Sequence, residues 1–226
     1  MSICGSSEPE NKSARRKAGR PLDAAKRTAI IEAAARQFFH HGYAATAIEQ
    51  IAADANVSKV TIYNHFGDKR ALFAAAVGRE CEKMRGHFTL DDAVPGSIRE
   101  RLLAIGQGIL AFLFRPEMIQ FERRIAAETE ADPAIGEAFL EAGPWRMKHG
   151  FAEYLCQEMA AGELMIPDPV MAAEQFVSLC KGMGDVERRF GASVTAEQRE
   201  RRIVAAVDMF LAAYGASAHV QRPQDR

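Results

Sequence analysis

This sequence has little of what would signal strands, catalysis or a membrane. One Trp and four Tyr stand among 226 residues, and β-branched or aromatic runs of strand length are scarce. Abundant alanine beside that scarcity favours helices throughout. Cys4, Cys81, Cys156 and Cys180 are far apart and form no CxxC pair. Their spacing argues against a zinc site or redox couple and for a reduced, cytosolic chain. The amino terminus carries charge without an apolar h-region, and no apolar run approaches bilayer-spanning length, so a cytoplasmic location and no membrane partner are expected. No Ser/His/Asp, paired-carboxylate, metal-ligand or phosphate-loop constellation is present. No enzyme chemistry, metal or cofactor is expected.

What the chain does have is an uneven charge. From Lys12 to Arg85 fourteen Lys/Arg face seven Asp/Glu, a balance of +7. From Gly86 onward fifteen face twenty-one, a balance of −6. A basic third on an acidic remainder suits a polyanion-binding module joined to something that avoids nucleic acid. Unevenly distributed solvated faces would give the same count.

Residues 1–22 are polar, with Lys12, Arg15, Arg16, Lys17 and Arg20 uninterrupted by acid. They read as a disordered basic arm, a solubilising tail or a tracker of phosphates and the minor groove. Asp23 is placed to cap a first helix that buries Ile30, Ile31, Ala34, Phe38 and Phe39 and stops at Gly42. Thr46 and Glu49 form a T-x-x-E capping box for a second helix with Ile48, Ile51, Ala52 and Ala55 inward. Asn56 sits where the chain must turn sharply, since Asn tolerates the left-handed conformation better than other side chains. Val57 plugs the corner and Ser58 caps a third helix. Ile62 and Phe66 face its core, leaving Lys59, Val60, Thr61, Tyr63, Asn64 and His65 outward. A fourth helix runs from Asp68 to about Met84.

Beyond Arg85 the rhythm changes. Pro and Gly separate helical segments at roughly 97–115, 116–130, 133–142, 144–161, 168–190 and 195–215. Asp132 and Asp168, each followed by Pro, are start signals, and Thr195 with Gln198 offers a further capping box. Gly106 and Gly108 inside a helical run each cost about 1 kcal/mol against Ala. Close packing or room for a ligand has to justify them.

Residues 23–84 resemble the TetR/AcrR family of bacterial regulators. The resemblance is carried by Gly42, Tyr43, Thr46, Ile51, Ala52, Ala55, Val57, Ser58, Thr61, Ile62, Tyr63, His65, Phe66, Asp68, Lys69, Leu72 and Phe73, with Asn56 where the family usually has Gly. The segments FERRIAAETEADPAIGEAFLEAGP and GELMIPDPVMAAEQF look like the carboxy-terminal domain of the AefR-like branch. The resemblance implies an all-α fold. An amino-terminal helix-turn-helix domain, with its motif at 47–66, would precede a larger ligand-binding and dimerisation domain at 85–216 and a tail at 217–226. It also implies a homodimer on a double-stranded, palindromic operator, acting as a repressor that an effector of unknown identity releases. Activation or ligand-independent regulation stay open within the family. A helical small-molecule-binding protein without an operator is the reading from another class.

Particular residues carry these expectations. Tyr63 and His65 occupy family positions that contact phosphates. Lys69 opens the fourth helix, where an ammonium and free N–H groups can hold a phosphate. Tyr43 and Thr46 are expected at phosphates on the groove edge, with Ser58 and Thr61 among the DNA-facing residues. Lys59 can donate to guanine and Asn64 can pair with adenine, while Val60 can pack on a thymine methyl. An apolar pocket is expected among 97–161, lined by Phe112, Met118, Phe121, Ile125, Trp145, Met147 and Phe151, although any helical core contains such residues. A dimer interface is implied for 168–190 and 195–215, through Phe176, Leu179, Met183, Ile203, Val207, Phe210 and Leu211. The same stripes would serve an intramolecular core.

Overall fold

Capped amphipathic segments fold as the sequence predicts, into helices joined by short turns. The computed structural model describes residues 21–87 and 96–216. The basic arm up to residue 20, Cys4 and the tail from 217 lie outside the described residues. The elements are α1 (Pro21–His41), α2 (Ile48–Asp54), α3 (Lys59–Phe66), α4 (Lys69–His87), α5 (Ile98–Leu113), α6 (Pro116–Ala131) and α7 (Pro133–Leu140). A π-helical turn (Glu141–Trp145) then leads into α8 (Arg146–Ala160), α9 (Pro169–Lys181), α10 (Gly184–Arg189) and α11 (Ala196–Tyr214). Among the described residues there is no strand, only an isolated bridge between Leu164 and Gly215.

Most helix ends have the expected chemistry. The Ser58 hydroxyl accepts from the Thr61 N–H at 3.1 Å. Asp132 and Asp168 cap α7 and α9 ahead of their prolines, and Thr195 with Gln198 closes a capping box on α11. Ser97 and Glu100 form another on α5. Two expected caps are corrected. Asp23 lies inside the first turn of α1 and reaches His65 instead. Thr46 does not cap α2, whose N-cap is Ala47. Its buried hydroxyl sits 2.6 Å from the Gly42 carbonyl and 3.2 Å from that of Gln37, so it ties the turn back onto α1. The expected helix over 168–190 is broken at Gly182, whose φ of 46° no side chain adopts readily.

Two apolar clusters organise the molecule. One joins α5, α8, α9 and α11 through Leu102, Phe151, Leu155, Phe176, Ile203 and Phe210. Gly106 belongs here: a Cβ would lie 2.8 Å from Ile203 Cγ2, so this glycine permits close approach of α5 and α11. The other cluster centres on Ile30, Phe38, Ile51, Ile62 and Phe73 of α1–α4, and it also takes in Met118, Phe121 and Ile125 from α6 and Ile135 from α7. Phe121 is fully buried, with its ring stacked 4.0 Å from that of Phe39. Helices assigned by sequence to the carboxy-terminal domain thus complete the core of the amino-terminal one.

A buried charge ties the clusters together. Arg188 on α10, 3% exposed, pairs with Asp185 at 2.6 Å and with Glu122 of α6 at 2.7 Å. It also donates to the Leu113 carbonyl. Burial pushes the Asp185 carboxyl up, but the bond from Arg188 and the charges of Lys181, Arg188 and Arg189 prevail and hold it below its ordinary value. Two lone thiols are shielded instead, while Cys156 is exposed: burial pushes Cys81 up to about 11 and Cys180 up to about 12, so both remain protonated near neutrality.

Candidate nucleic-acid interface

The third helix is positioned by its turn. Asn56 adopts φ 52°, the one positive φ outside glycine among the described residues. The Val57 N–H bonds to the Ala52 carbonyl at 2.9 Å, which reverses the chain sharply enough for α3 to start against α2. Ile62 anchors α3 in the core at 1% exposure, and Gly67, with φ 81°, ends it.

Four of the expected DNA-facing side chains are exposed on the outer face of this helix, Lys59, Val60, Tyr63 and Asn64, with Lys59 held by an ion pair to Glu49. The others are already engaged. Ser58 and Thr61 hydroxyls lie 2.9 Å apart in the cap. His65 Nε2 is 3.2 Å from an Asp23 carboxylate oxygen and is largely covered. Tyr43 stacks on Phe38 and meets Phe73 edge-on, and burial raises its phenol above the ordinary value. Lys69 Nζ lies over the Tyr43 ring at 4.7 Å and donates to the Ala44 carbonyl at 3.2 Å. Desolvation lowers its pKa. Thr46 is buried at 3%, which corrects the expectation of a phosphate-facing hydroxyl: the side chain points into the fold because its hydroxyl satisfies two turn carbonyls.

Sequence reasoning missed the residues that hold this domain from outside. Glu128 Oε2 accepts the Tyr43 and Ala44 N–H groups at 3.0 and 3.1 Å. One turn earlier on α6, Arg124 donates to the carbonyls of Phe39 and His40 at the end of α1. A Cβ at Gly42, whose φ is 85°, would run into Glu128 Oε1. A cation on the last carbonyls of a helix and an anion on the N–H groups beyond them complement its terminus. Nothing local in FERRIAAETE announces that role. Glu49 was also misjudged: its carboxylate pairs with Lys59 rather than closing a capping box.

The expected pocket residues are not brought together. Met118, Phe121 and Ile125 lie in the amino-terminal core and Phe151 lies in the other. Phe112 packs against both clusters and Met147 against the carboxy-terminal one. Trp145 is 44% exposed on the π-helical turn. Aromatic richness here reflects two cores crossing one stretch of sequence. The interface stripe divides likewise: Phe176, Ile203, Val207 and Phe210 are buried within the protomer, and Leu179 and Leu211 pack against that core. Only Met183 stands out, at 64% exposure. Exposed apolar side chains nearby include Val170, Met171, Val186, Phe190 and Met209.

Comparison with known proteins fits this arrangement. The family model "Bacterial regulatory proteins, tetR family" matches residues 30–76, and "AefR-like transcriptional repressor, C-terminal domain" matches residues 100–216. An uncharacterized HTH-type transcriptional regulator of Bacillus subtilis is 24% identical over 185 residues, covering 80% of this chain and 93% of that protein. A solved TetR-family transcriptional regulator from Mesorhizobium loti is 30% identical with a TM-score of 0.70, over 87% of this chain and all 100% of that one. The flavonoid-responsive regulator FrrA is 32% identical with a TM-score of 0.68, over 85% of this chain and 98% of that one. An α3 that presents its outer face from a turn-locked domain, joined to a matching helical carboxy-terminal domain, places the chain in the TetR family of DNA-binding transcriptional regulators, with an AefR-like repressor carboxy-terminal domain.

Proposed function

We propose that this regulator is a homodimeric repressor that holds a palindromic operator until a small apolar or amphipathic effector releases it. The observation that carries the reading is the union of an exposed outer face on α3 with the α6 clamp on the turn behind it. Lys59, Val60 and Asn64 read base edges, Tyr63 grips phosphate, and His65 and Lys69 add phosphate contacts when DNA draws them from Asp23 and Ala44. Tyr43, Ser58 and Thr61 line the same edge, mainly as parts of the turn and cap.

A partner copy covers the exposed apolar side chains of α9–α11, Met171, Met183, Val186, Phe190 and Met209. It sets two recognition helices about 34 Å apart on successive major grooves. An effector that shifts α6 moves Arg124 and Glu128, and with them the end of α1 and the turn. The recognition helices then lose their spacing. By reciprocity, operator DNA weakens effector binding by the same factor. The flavonoid-responsive relative supports a small-molecule signal and makes a flavonoid the first probe. Among the described residues no single helix is long and apolar enough to cross a membrane, consistent with action on DNA in the cytoplasm.

Footprinting on genomic DNA, with and without the probe, tests release. Tyr63→Ala and Lys69→Ala should each weaken operator binding, and Lys69→Ala should also flatten its salt dependence by about 0.9 in log–log slope, the share of one neutralised phosphate. Unchanged affinity and slope in both variants would defeat the docking scheme. A monomer in equilibrium sedimentation at micromolar concentration would defeat the half-site geometry.

A further inference from the structure

Glu49 is an acidic side chain placed within reach of the base-reading end of α3. It lies in the first turn of α2, and its carboxylate accepts a hydrogen bond from Lys59 Nζ across the turn. Both side chains are largely in solvent, and exposed ion pairs of this kind contribute little to stability. The neighbouring carboxylate of Asp54 is satisfied by neutral donors, the amides of Gln37 and Gln50. Glu49 instead takes a cation that faces DNA. The Lys59 ammonium also lies 5.8 Å from the Tyr63 ring centroid, so in the free protein Lys59 is folded back between α2 and its own helix.

We propose that Glu49 is a specificity-determining residue: once DNA draws Lys59 away, its carboxylate is satisfied by a cytosine N4 amino group, and every sequence lacking a cytosine there is penalised. The inference rests on the docking of α3 set out above. Phosphates attract Lys59 whatever the sequence. When Lys59 leaves, a bare carboxylate remains beside a polyanion, at a cost common to all duplexes. A G·C pair or step offsets that cost on both sides, because guanine O6 and N7 accept from Lys59 while cytosine N4 donates to Glu49. At an A·T pair the adenine N6 amino group sits beside the N7 acceptor, which repels a carboxylate, so Glu49 is poorly matched there. Discrimination then comes from a repulsive element as much as from an attractive one.

The test selects duplexes from a random library with the full-length chain. It then measures wild type, Glu49→Gln, Lys59→Ala and the double variant on a selected and a scrambled duplex over a range of salt. Glu49→Gln should bind the scrambled duplex about fivefold more tightly, the worth of one solvent-screened charge at contact distance. On the selected duplex, relief of repulsion is offset by the weakened cytosine contact, so the specificity ratio narrows by a similar factor. A repeat selection with Glu49→Gln should lose preference at one G·C position, and with Lys59 replaced the effect on the ratio should shrink. An equal rise on both duplexes, or no change on either, overturns the proposal. Failure of docking itself would look different: wild type and Lys59→Ala would then bind the selected and scrambled duplexes alike.

Discussion

The helices α1–α4 and the bundle of α5, α8, α9 and α11 close their cores in opposite ways. The bundle is nearly self-sufficient: its large buried rings, Phe151, Phe176 and Phe210, contact one another and come from its own helices, while α4 lends it the small contribution of Met84. The DNA-reading unit is not, because Phe121 supplies a ring to Phe39 and Phe73 from a helix far along the chain. The bundle's polar interior is likewise internal, with Arg101 bound to Glu158 at 2.6 Å and to the Tyr154 hydroxyl. The polar contacts of the reading unit include a clamp on its turn from outside, through Arg124 and Glu128. A unit that borrows its core responds to whatever moves the lender. Packing thereby gives the proposed effector a route to the turn.

That contrast can be broken most forcefully at Phe121. Phe121→Ala should cost about 3–5 kcal/mol and lower the urea midpoint of α1–α4 together with α6. A loss under about 1 kcal/mol would mean that the reading unit closes its own core. Glu128→Gln should cost less, about 1–3 kcal/mol for two weakened charge-assisted bonds. It should still reduce operator affinity although it leaves the α3 surface untouched; unaltered affinity in a stable variant would remove α6 as the control point. Ser58→Ala is the smallest change, about 1 kcal/mol from a lost cap. Hydrogen exchange should rise in α3 and stay level in α8 and α11, and an increase in the bundle would erase the distinction drawn between the two regions.

Legibility differed between these regions for physical reasons. The turn at Asn56, the Ser58 cap and the outward face of α3 depend on residues within a few positions of one another, and local chemistry sufficed to place them. The all-α class and most helix starts were readable on the same grounds. Thr46 misled because a T-x-x-E pattern fits a cap as well as a buried hydroxyl, and the choice depends on carbonyls at Gly42 and Gln37 that only the turn brings near. Met118, Phe121 and Ile125 misled because an apolar helical stripe does not say which neighbour it faces. Phe176, Ile203, Val207 and Phe210 failed the same way, filling the protomer's interior where a second copy was expected. Glu128 and Gly42 lie 86 positions apart, and no periodicity links them.

The meeting of Gly42 with Glu128 bears on how this regulator can be recombined. Residue 42 is held to glycine by its φ of 85°, and a Cβ there would also push the Glu128 carboxylate off the Tyr43 and Ala44 N–H groups. A chimaera that joins a foreign operator-reading unit to the carboxy-terminal helices at the boundary near residue 85 would inherit half of a lock. Exchange should succeed only when the incoming unit brings both a glycine for the carboxylate and a ring for Phe121. The seam along which this protein can be cut and rejoined is drawn by α6 and lies elsewhere than the linker.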